Sequence, residues 1–135
     1  MSTKLENIVL IDDSGADNYY HQMIIEKANT CRTVTAYNLA SKALNNIEDT
    51  IKKKQKLPEL IFLDINMPII DGWDFLKRYE EIVPQDLRQT VIIILSTSVN
   101  PSDHDRAAAH PSVAAYCSKP LSATKLQDIV AKHFS

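Results

Sequence analysis

The stretch L-I-F-L-D-I-N-M-P-I-I-D-G-W-D-F-L, residues 60–76, decides the fold. Its first four residues are apolar on both faces, which suits a central strand of a parallel sheet covered by helices on each side, and the run stops at an acid, Asp64. After a proline-containing loop, Asp71 with Asp74 three residues later makes an acidic helix start resembling a capping box. Phe75, Leu76, Tyr79 and Ile82 then supply an apolar stripe at helical spacing, and Pro84 limits it. The stretch reads as one strand, one loop and one helix.

The same unit recurs on both sides. Residues 7–11 (NIVLI), 33–37 (TVTAY), 91–95 (VIIIL) and 113–117 (VAAYC) are the other strand candidates. The first and fourth strands are apolar on both faces like the third, whereas the second is half polar and suits an edge. Helical stripes lie between them: Ala16, Tyr20, Met23, Ile24, Lys27 and Ala28, then Ala40, Ala43, Leu44, Ile47 and Ile51. Asn100 before Pro101 is a cap with proline at the first helical position, and this short helix must stop before Pro111. A last helix runs from about Ser122 through Leu126, Ile129 and Val130 toward Phe134. Five βα units with right-handed crossovers predict an α/β, doubly wound, five-stranded parallel sheet in the order 2-1-3-4-5. In such a sheet ligands bind beyond the carboxyl ends of the strands where the winding reverses, here between strands 1 and 3.

Composition excludes several kinds of function. The 135 residues carry 15 basic and 17 acidic side chains, a formal charge of −2, so no broad basic surface awaits nucleic acid or anionic lipid. The length predicts one domain over residues 1–135 with its core at about 5–134. No apolar run approaches the ~18 residues of a membrane span, and a cytoplasmic location is expected. Gly15 and Gly72 are the only glycines, which removes the glycine-rich nucleotide cradles and the serine nucleophile elbow. Cys31 and Cys117 form no C-x-x-C, and His21, His104, His110 and His133 show no zinc spacing. Cys31 reads as an ordinary loop thiol, Cys117 as a buried strand residue and the histidines as surface groups. The cluster Lys52, Lys53, Lys54 and Lys56 reads as a solvated face.

Just past the strands stand Asp12 and Asp13 after the first, Asp64 after the third, Ser96 and Thr97 after the fourth, and Lys119 after the fifth. Two carboxylates ~4 Å apart repel by about 4 kcal/mol at an effective dielectric near 20, a conflict that a divalent cation removes. An oxygen site with several waters suits Mg²⁺, which in turn bridges phosphoryl oxygens. Lys119 adds a point charge and a hydroxyl adds a donor, leaving Asp64 as the natural nucleophile. Taken alone, Asp12-Asp13 would be a helix cap and Lys119-Pro120 a turn; their concurrence at four strand ends outweighs those readings.

These residues resemble the receiver domain of two-component response regulators, of the chemotaxis-regulator, stand-alone kind, from about Leu5 to Phe134. The pieces that carry the likeness are I-D-D ending at Asp13, F-L-D-I-N-M-P-I-I-D-G from Phe62 to Gly72, I-I-L-S-T from Ile93, and Y-C-S-K-P from Tyr116 to Pro120. The resemblance implies a flavodoxin-like fold and a phosphorylation-dependent switch of a phosphorelay. Asp64 would be the phospho-acceptor. Asp12, Asp13, Asp64 and the backbone carbonyl of Asn66 would hold Mg²⁺, with Mn²⁺ as a substitute. Lys119 would contact the acceptor and the phosphoryl group, and its bond to Pro120 would be cis. Ser96 aligns with the switch hydroxyl and Tyr116 with the aromatic switch residue; Thr97 is the neighbouring alternative to Ser96. Asn66 and Ser98 occupy positions that tune dephosphorylation.

The implied partners are a sensor histidine kinase or histidine phosphotransfer protein and a downstream protein docked on the face of helix 4, strand 5 and helix 5. Homodimerisation on phosphorylation also belongs to this picture, whereas direct nucleic-acid and membrane contacts do not. With nothing following the fifth helix, output is expected through protein docking or onward phosphotransfer. No enzymatic turnover is expected. Two departures stand out: A-H-P-S-V-A before the fifth strand, where a glycine is common, and the longer connection I-K-K-K-Q-K-L-P. A magnesium-dependent aspartyl phosphatase would need D-x-D, but position 66 is asparagine. A flavin carrier would meet the acidic loop D-D-S-G-A-D. A receiver-like interaction module that works without phosphorylation is the remaining alternative.

Overall fold

Five apolar runs pair into one parallel sheet in the computed structural model, which describes residues 4–134. The strands are β1 (Leu5–Ile11), β2 (Cys31–Tyr37), β3 (Leu60–Leu63), β4 (Val91–Ser96) and β5 (Val113–Ser118), in the order β2-β1-β3-β4-β5. Between and after them lie α1 (Gly15–Ala28), α2 (Ala40–Lys52), α3 (Gly72–Ile82), α4 (Pro101–Ala109) and α5 (Ala123–Phe134). The expected doubly wound order is found, and β2, the half-polar run, is an edge.

Alternation along the central strands sorts their side chains onto two cores. Val9, Ile11, Ile61, Leu63, Ile92 and Ile94 face α2 and α3, where Leu44, Ile47, Phe75, Leu76 and Tyr79 meet them. Ile8, Leu10, Leu60, Phe62, Ile93 and Leu95 face the other way, onto Ile25 and Leu126 of α1 and α5. Each fully buried side chain of this kind contributes roughly 1.5–3 kcal/mol. The register sets Ile11 beside Leu63, so the residues that follow, Asp12 and Asp64, leave the sheet together.

The helix starts follow their local chemistry. Asp71 accepts from the Asp74 N–H at 2.9 Å while Asp74 accepts from the Asp71 N–H at 3.3 Å, closing the capping box. Asn100 accepts from the Ser102 N–H at 3.0 Å, and Pro101 opens α4. The Lys52 and Lys53 side chains pair along α2 with Glu48 and Asp49, as a solvated helix end would. Before β5 the glycine-free loop is tied to α3, where Ser112 donates to Glu80 at 2.7 Å, and the β4–β5 register shifts between Ile92 and Ile93.

Several expectations are corrected. The buried face of α1 is Asn18, His21 and Ile25, whereas Ala16, Tyr20 and Lys27 are exposed and Met23, Ile24 and Ala28 are only half-buried. Cys31 is the buried first residue of β2, paired with Leu5, and no loop thiol. Cys117 is half-buried, since β5 is the other edge. His21 is buried, against the expectation of surface histidines.

Candidate functional site

Backbone bonds bring the strand ends into one place before any side chain acts. The Asp64 N–H donates to the Ile11 carbonyl at 2.9 Å, the Asp12 N–H to Tyr37 at 3.1 Å and the Lys119 N–H to Ser96 at 2.9 Å. Asp12, Asp13 and Asp64 each present an oxygen, and these lie within 4.8 Å of one another. Asp12 and Asp64 are buried while Asp13 is exposed, so the group has a closed floor and one side open to water. Hard oxygen donors with an open side fit a divalent cation that keeps part of its hydration shell.

Lys119 lies over the acids, with its side chain 10% exposed. Its Nζ donates to Asp12 Oδ2 at 2.5 Å and to Asp17 Oδ2 at 2.7 Å, and stands 3.5 Å from Asp64 Oδ2. Burial opposes its charge, but hydrogen bonds to Asp12 and Asp17 and the field of Asp64 outweigh that and raise its pKa above the ordinary lysine value. The Lys119–Pro120 peptide is cis. Asp64 is also desolvated. Burial pushes its pKa up to about 6, against the opposing pull of the Asn66 N–H on Oδ1 at 3.2 Å and of Lys119.

Gly72 closes the site from behind. A Cβ there would stand 2.7 Å from the Ile65 Cα and 2.8 Å from the Asp64 carbonyl oxygen, so α3 begins against the backbone of the acid itself. Ile69, between Pro68 and Asp71, holds φ 68 and is 95% exposed at the rim, an unusual backbone state for a β-branched residue.

A second group of side chains leads away from the acids. Ser96 is wholly buried; its Oγ accepts from the Ser98 N–H at 3.1 Å and is 3.5 Å from Asn66 Nδ2. Thr97 is exposed. The Tyr116 hydroxyl donates to the Ser98 carbonyl at 2.9 Å, and its ring stacks on His104 with centroids 3.9 Å apart. Ser98 donates to Asp103 of α4 at 2.6 Å. Ser98 thus joins the Ser96 hydroxyl, the Tyr116 ring and α4. Trp73, beside the site on α3, carries the Arg106 guanidinium 4.4 Å above its ring, a cation–π link between α3 and α4.

The sequence reading brought together Asp12, Asp13, Asp64, Asn66, Ser96 and Lys119, and the fold gathers all of them. It missed the inward face of α1. Asn18 Nδ2 donates to the Asp12 carbonyl at 2.8 Å and the Tyr37 carbonyl at 3.3 Å, holding β1 and β2 at the site. His21 Nε2 accepts from the Leu121 N–H at 3.3 Å, fixing the turn after Pro120. A signal existed: stepping back from Ile25 by four and then three residues reaches His21 and Asn18, one helical face.

That face carries a pH dependence. Burial first, and the charge of Lys119 second, lower the His21 pKa below 6.5, outweighing Asp17 and Asp12. The folded protein therefore binds fewer protons there than the unfolded chain. The contribution of His21 to stability is intact above the unfolded value and is lost as pH falls below it. His21→Gln, which keeps an acceptor for Leu121, is expected to weaken the loss of stability on the acid side in urea melts at a series of pH values. An unchanged acid slope contradicts this.

A family model described as "Response regulator receiver domain" matches residues 8–131. Among curated proteins the chain is similar to the sensory/regulatory protein RpfC of Xanthomonas campestris, 28% identical over 92% of this chain. It spans only 16% of that protein's length. It is also similar to the chemotaxis protein CheY of Halobacterium salinarum, 24% identical over 93% of this chain and 94% of that one. Among solved structures, a two-component response regulator from Cytophaga hutchinsonii aligns with a TM-score of 0.88 and 28% identity over 96% of this chain and 97% of that one. A receiver protein from Dyadobacter fermentans aligns at 0.83 and 25%, over 96% and 98%.

Proposed function

The chain belongs to the response regulator receiver domain family, and from that premise we propose that it is a phosphorylation-dependent switch whose acceptor is Asp64. The observation that carries this reading is the Asp12, Asp13 and Asp64 oxygens within 4.8 Å of one another, with the Lys119 ammonium 3.5 Å from Asp64. Three acids and one ammonium leave a local excess of negative charge, and the burial that raises the pKa of Asp64 adds to the cost of holding its carboxylate ionised there. The donor set fits Mg²⁺, or Mn²⁺ in its place, held by Asp12, Asp13, Asp64 and the Asn66 carbonyl. Such an ion, when bound, neutralises charge on the acids and on a transferring phosphoryl group.

The protein's own residues do the rest. An Asp64 carboxylate oxygen forms the new P–O bond in line as the P–N bond to a phosphohistidine breaks, and the electron pair returns to the donor's imidazole. Lys119 offers its N–H groups to the phosphoryl oxygens. Ser96, buried with its hydroxyl toward Asn66, is the switch hydroxyl, and exposed Thr97 is not. When Ser96 moves to the phosphoryl group it pulls on Ser98, which also holds Tyr116 and α4. That biases two packed arrangements of the α4, β5 and α5 face. Asn66 and Ser98 tune the lifetime of the acyl phosphate.

Receiver domains interact with histidine kinases and phosphotransfer proteins and are signalling switches rather than classical enzymes. The donor proposed here is a protein of that kind, the output a partner docked on the α4, β5 and α5 face, with dimerisation in the phosphorylated state. Residues 1–135 act as one receiver unit in the cytoplasm. No helix among the described residues is long and apolar enough to cross a membrane.

Incubation with acetyl phosphate and Mg²⁺ is expected to add the mass of one phosphoryl group, and chelation of the metal or Asp64→Ala to prevent it. If neither acetyl phosphate nor phosphorylated kinases add mass, the phosphorylation-independent interaction module takes its place. Multiple turnover on phosphate esters would instead support an aspartyl phosphatase.

A further inference from the structure

Asp17 is a carboxylate that phosphoryl capture does not call for, yet it holds the Lys119 ammonium at 2.7 Å, close to the 2.5 Å of Asp12 and well inside the 3.5 Å of Asp64. It lies in the first turn of α1, outside the three-acid cluster, with its side chain 42% exposed. Its backbone N–H, rather than its carboxylate, makes the helix cap, donating to Ser14 Oγ at 3.2 Å. The carboxylate is therefore free to serve Lys119.

The two strand-end acids beneath Lys119 are each engaged on one oxygen by backbone: Asp12 Oδ1 by the Ser14 N–H and Asp64 Oδ1 by the Asn66 N–H. Their Oδ2 atoms face the ammonium. A dication arriving at Asp12 and Asp64 competes with Lys119 for those carboxylates. An ammonium with three donors that lost both partners at 10% exposure would be a buried unpaired charge, and that cost would appear as weaker cation binding. Asp17 removes it, because its oxygen is not needed by the metal.

Resting on the functional reading above, we propose that Asp17 is a positioning residue: it keeps the Lys119 ammonium paired on α1 while a divalent cation takes Asp12, Asp13 and Asp64. The role needs an acid in the first turn of α1 within hydrogen-bond reach of the Lys119 ammonium, which is where Asp17 stands.

The test is calorimetric titration of the unphosphorylated protein with Mg²⁺, so no transfer activity enters. Asp17→Asn is expected to weaken binding by about fivefold, the upper end for a partly exposed pair, while Asp17→Glu stays within about twofold. In a Lys119→Met background the same Asp17→Asn change is expected to cost less than about twofold, because the group it serves is gone. Equal losses in both backgrounds overturn the inference and make Asp17 a plain through-space charge; no loss with Lys119 present overturns it too. If the unsubstituted protein takes up no Mg²⁺, the functional reading itself fails. Asp17→Asn keeps its backbone cap, so an unfolded variant is not expected; a thermal melt of each variant verifies this.

Discussion

Asp64→Asn is expected to abolish phosphoryl uptake and, in the same protein, to raise the stability of the metal-free fold at neutral pH. The reason is the carboxylate's environment. Asp64 is 6% exposed, and its pKa rises from 3.8 to about 6. A raised folded pKa means that the folded protein binds this proton more tightly than the unfolded chain does. The stabilisation it gives is fully present below the unfolded value and is lost as pH rises through about 6. At pH 7 the buried charge costs up to about 3 kcal/mol relative to an uncharged side chain of the same shape. Asparagine keeps the shape and removes the charge.

Urea melts without metal at pH 7.5 should therefore place Asp64→Asn above the unsubstituted protein, with the gap closing toward pH 4. Over that range His21 works in the opposite direction, so only the difference between the two proteins isolates Asp64. Magnesium should shrink the gap at pH 7.5, because it binds and stabilises the carboxylate form selectively. A variant no more stable than its parent at pH 7.5 would show that Lys119 already compensates the Asp64 charge in full. Under the proposed function the site gives up stability to keep a charged carboxylate, a common stability–function trade-off.

Gly72→Ala is expected to damage both fold and site. Its new methyl group would lie 2.7–2.8 Å from the Ile65 Cα, the Asp64 carbonyl oxygen and the Ile65 Cγ2, two of which are backbone atoms of a central strand's exit. Neither can yield without moving β3 or α3. Overpacking of this kind costs roughly 1–3 kcal/mol, and the favourable change from glycine to alanine in a helix, roughly 0.5–1 kcal/mol, offsets only part of it. Because the displaced backbone belongs to Asp64, phosphoryl uptake should fall by more than the loss of folded protein explains. The control is Gly15→Ala at the first position of α1, where nothing lies within 4 Å of the new methyl group. That variant should melt at or slightly above the parent and accept phosphate normally. Equal behaviour of the two glycine variants in denaturant melts and mass spectrometry would refute the packing argument.

The sheet was legible because its evidence is local. The runs at 60–63 and 91–95 are apolar on both faces, and each inward position is occupied by a residue whose neighbours in sequence already show which way it points. Asp12, Asp64, Ser96 and Lys119 could then be placed, since a residue that follows a central strand of a doubly wound sheet must sit on its carboxyl edge. The capping box at Asp71 and the cap at Asn100 are equally short-range.

α1 was misread for the opposite reason. A stripe chosen for apolarity takes Tyr20 and Met23, whereas the helix turns Asn18 and His21 inward. Backbone groups of other segments hold them there: Asn18 Nδ2 donates to the Asp12 and Tyr37 carbonyls while its Oδ1 has no partner among the described residues, and His21 Nε2 accepts from the Leu121 N–H. Cys31 was misplaced for want of its pairing with Leu5 across the sheet.

By itself the sequence determined the winding of the chain and which acids and which lysine meet at its edge, because hydrophobic periodicity and helix capping are set within a few residues. Only the tertiary structure decided that Lys119 leans on Asp17, that Ser96 is the buried hydroxyl and Thr97 the exposed one, and that Gly72 abuts the Asp64 carbonyl. Those facts depend on distances between segments as much as a hundred residues apart, and no local pattern encodes them.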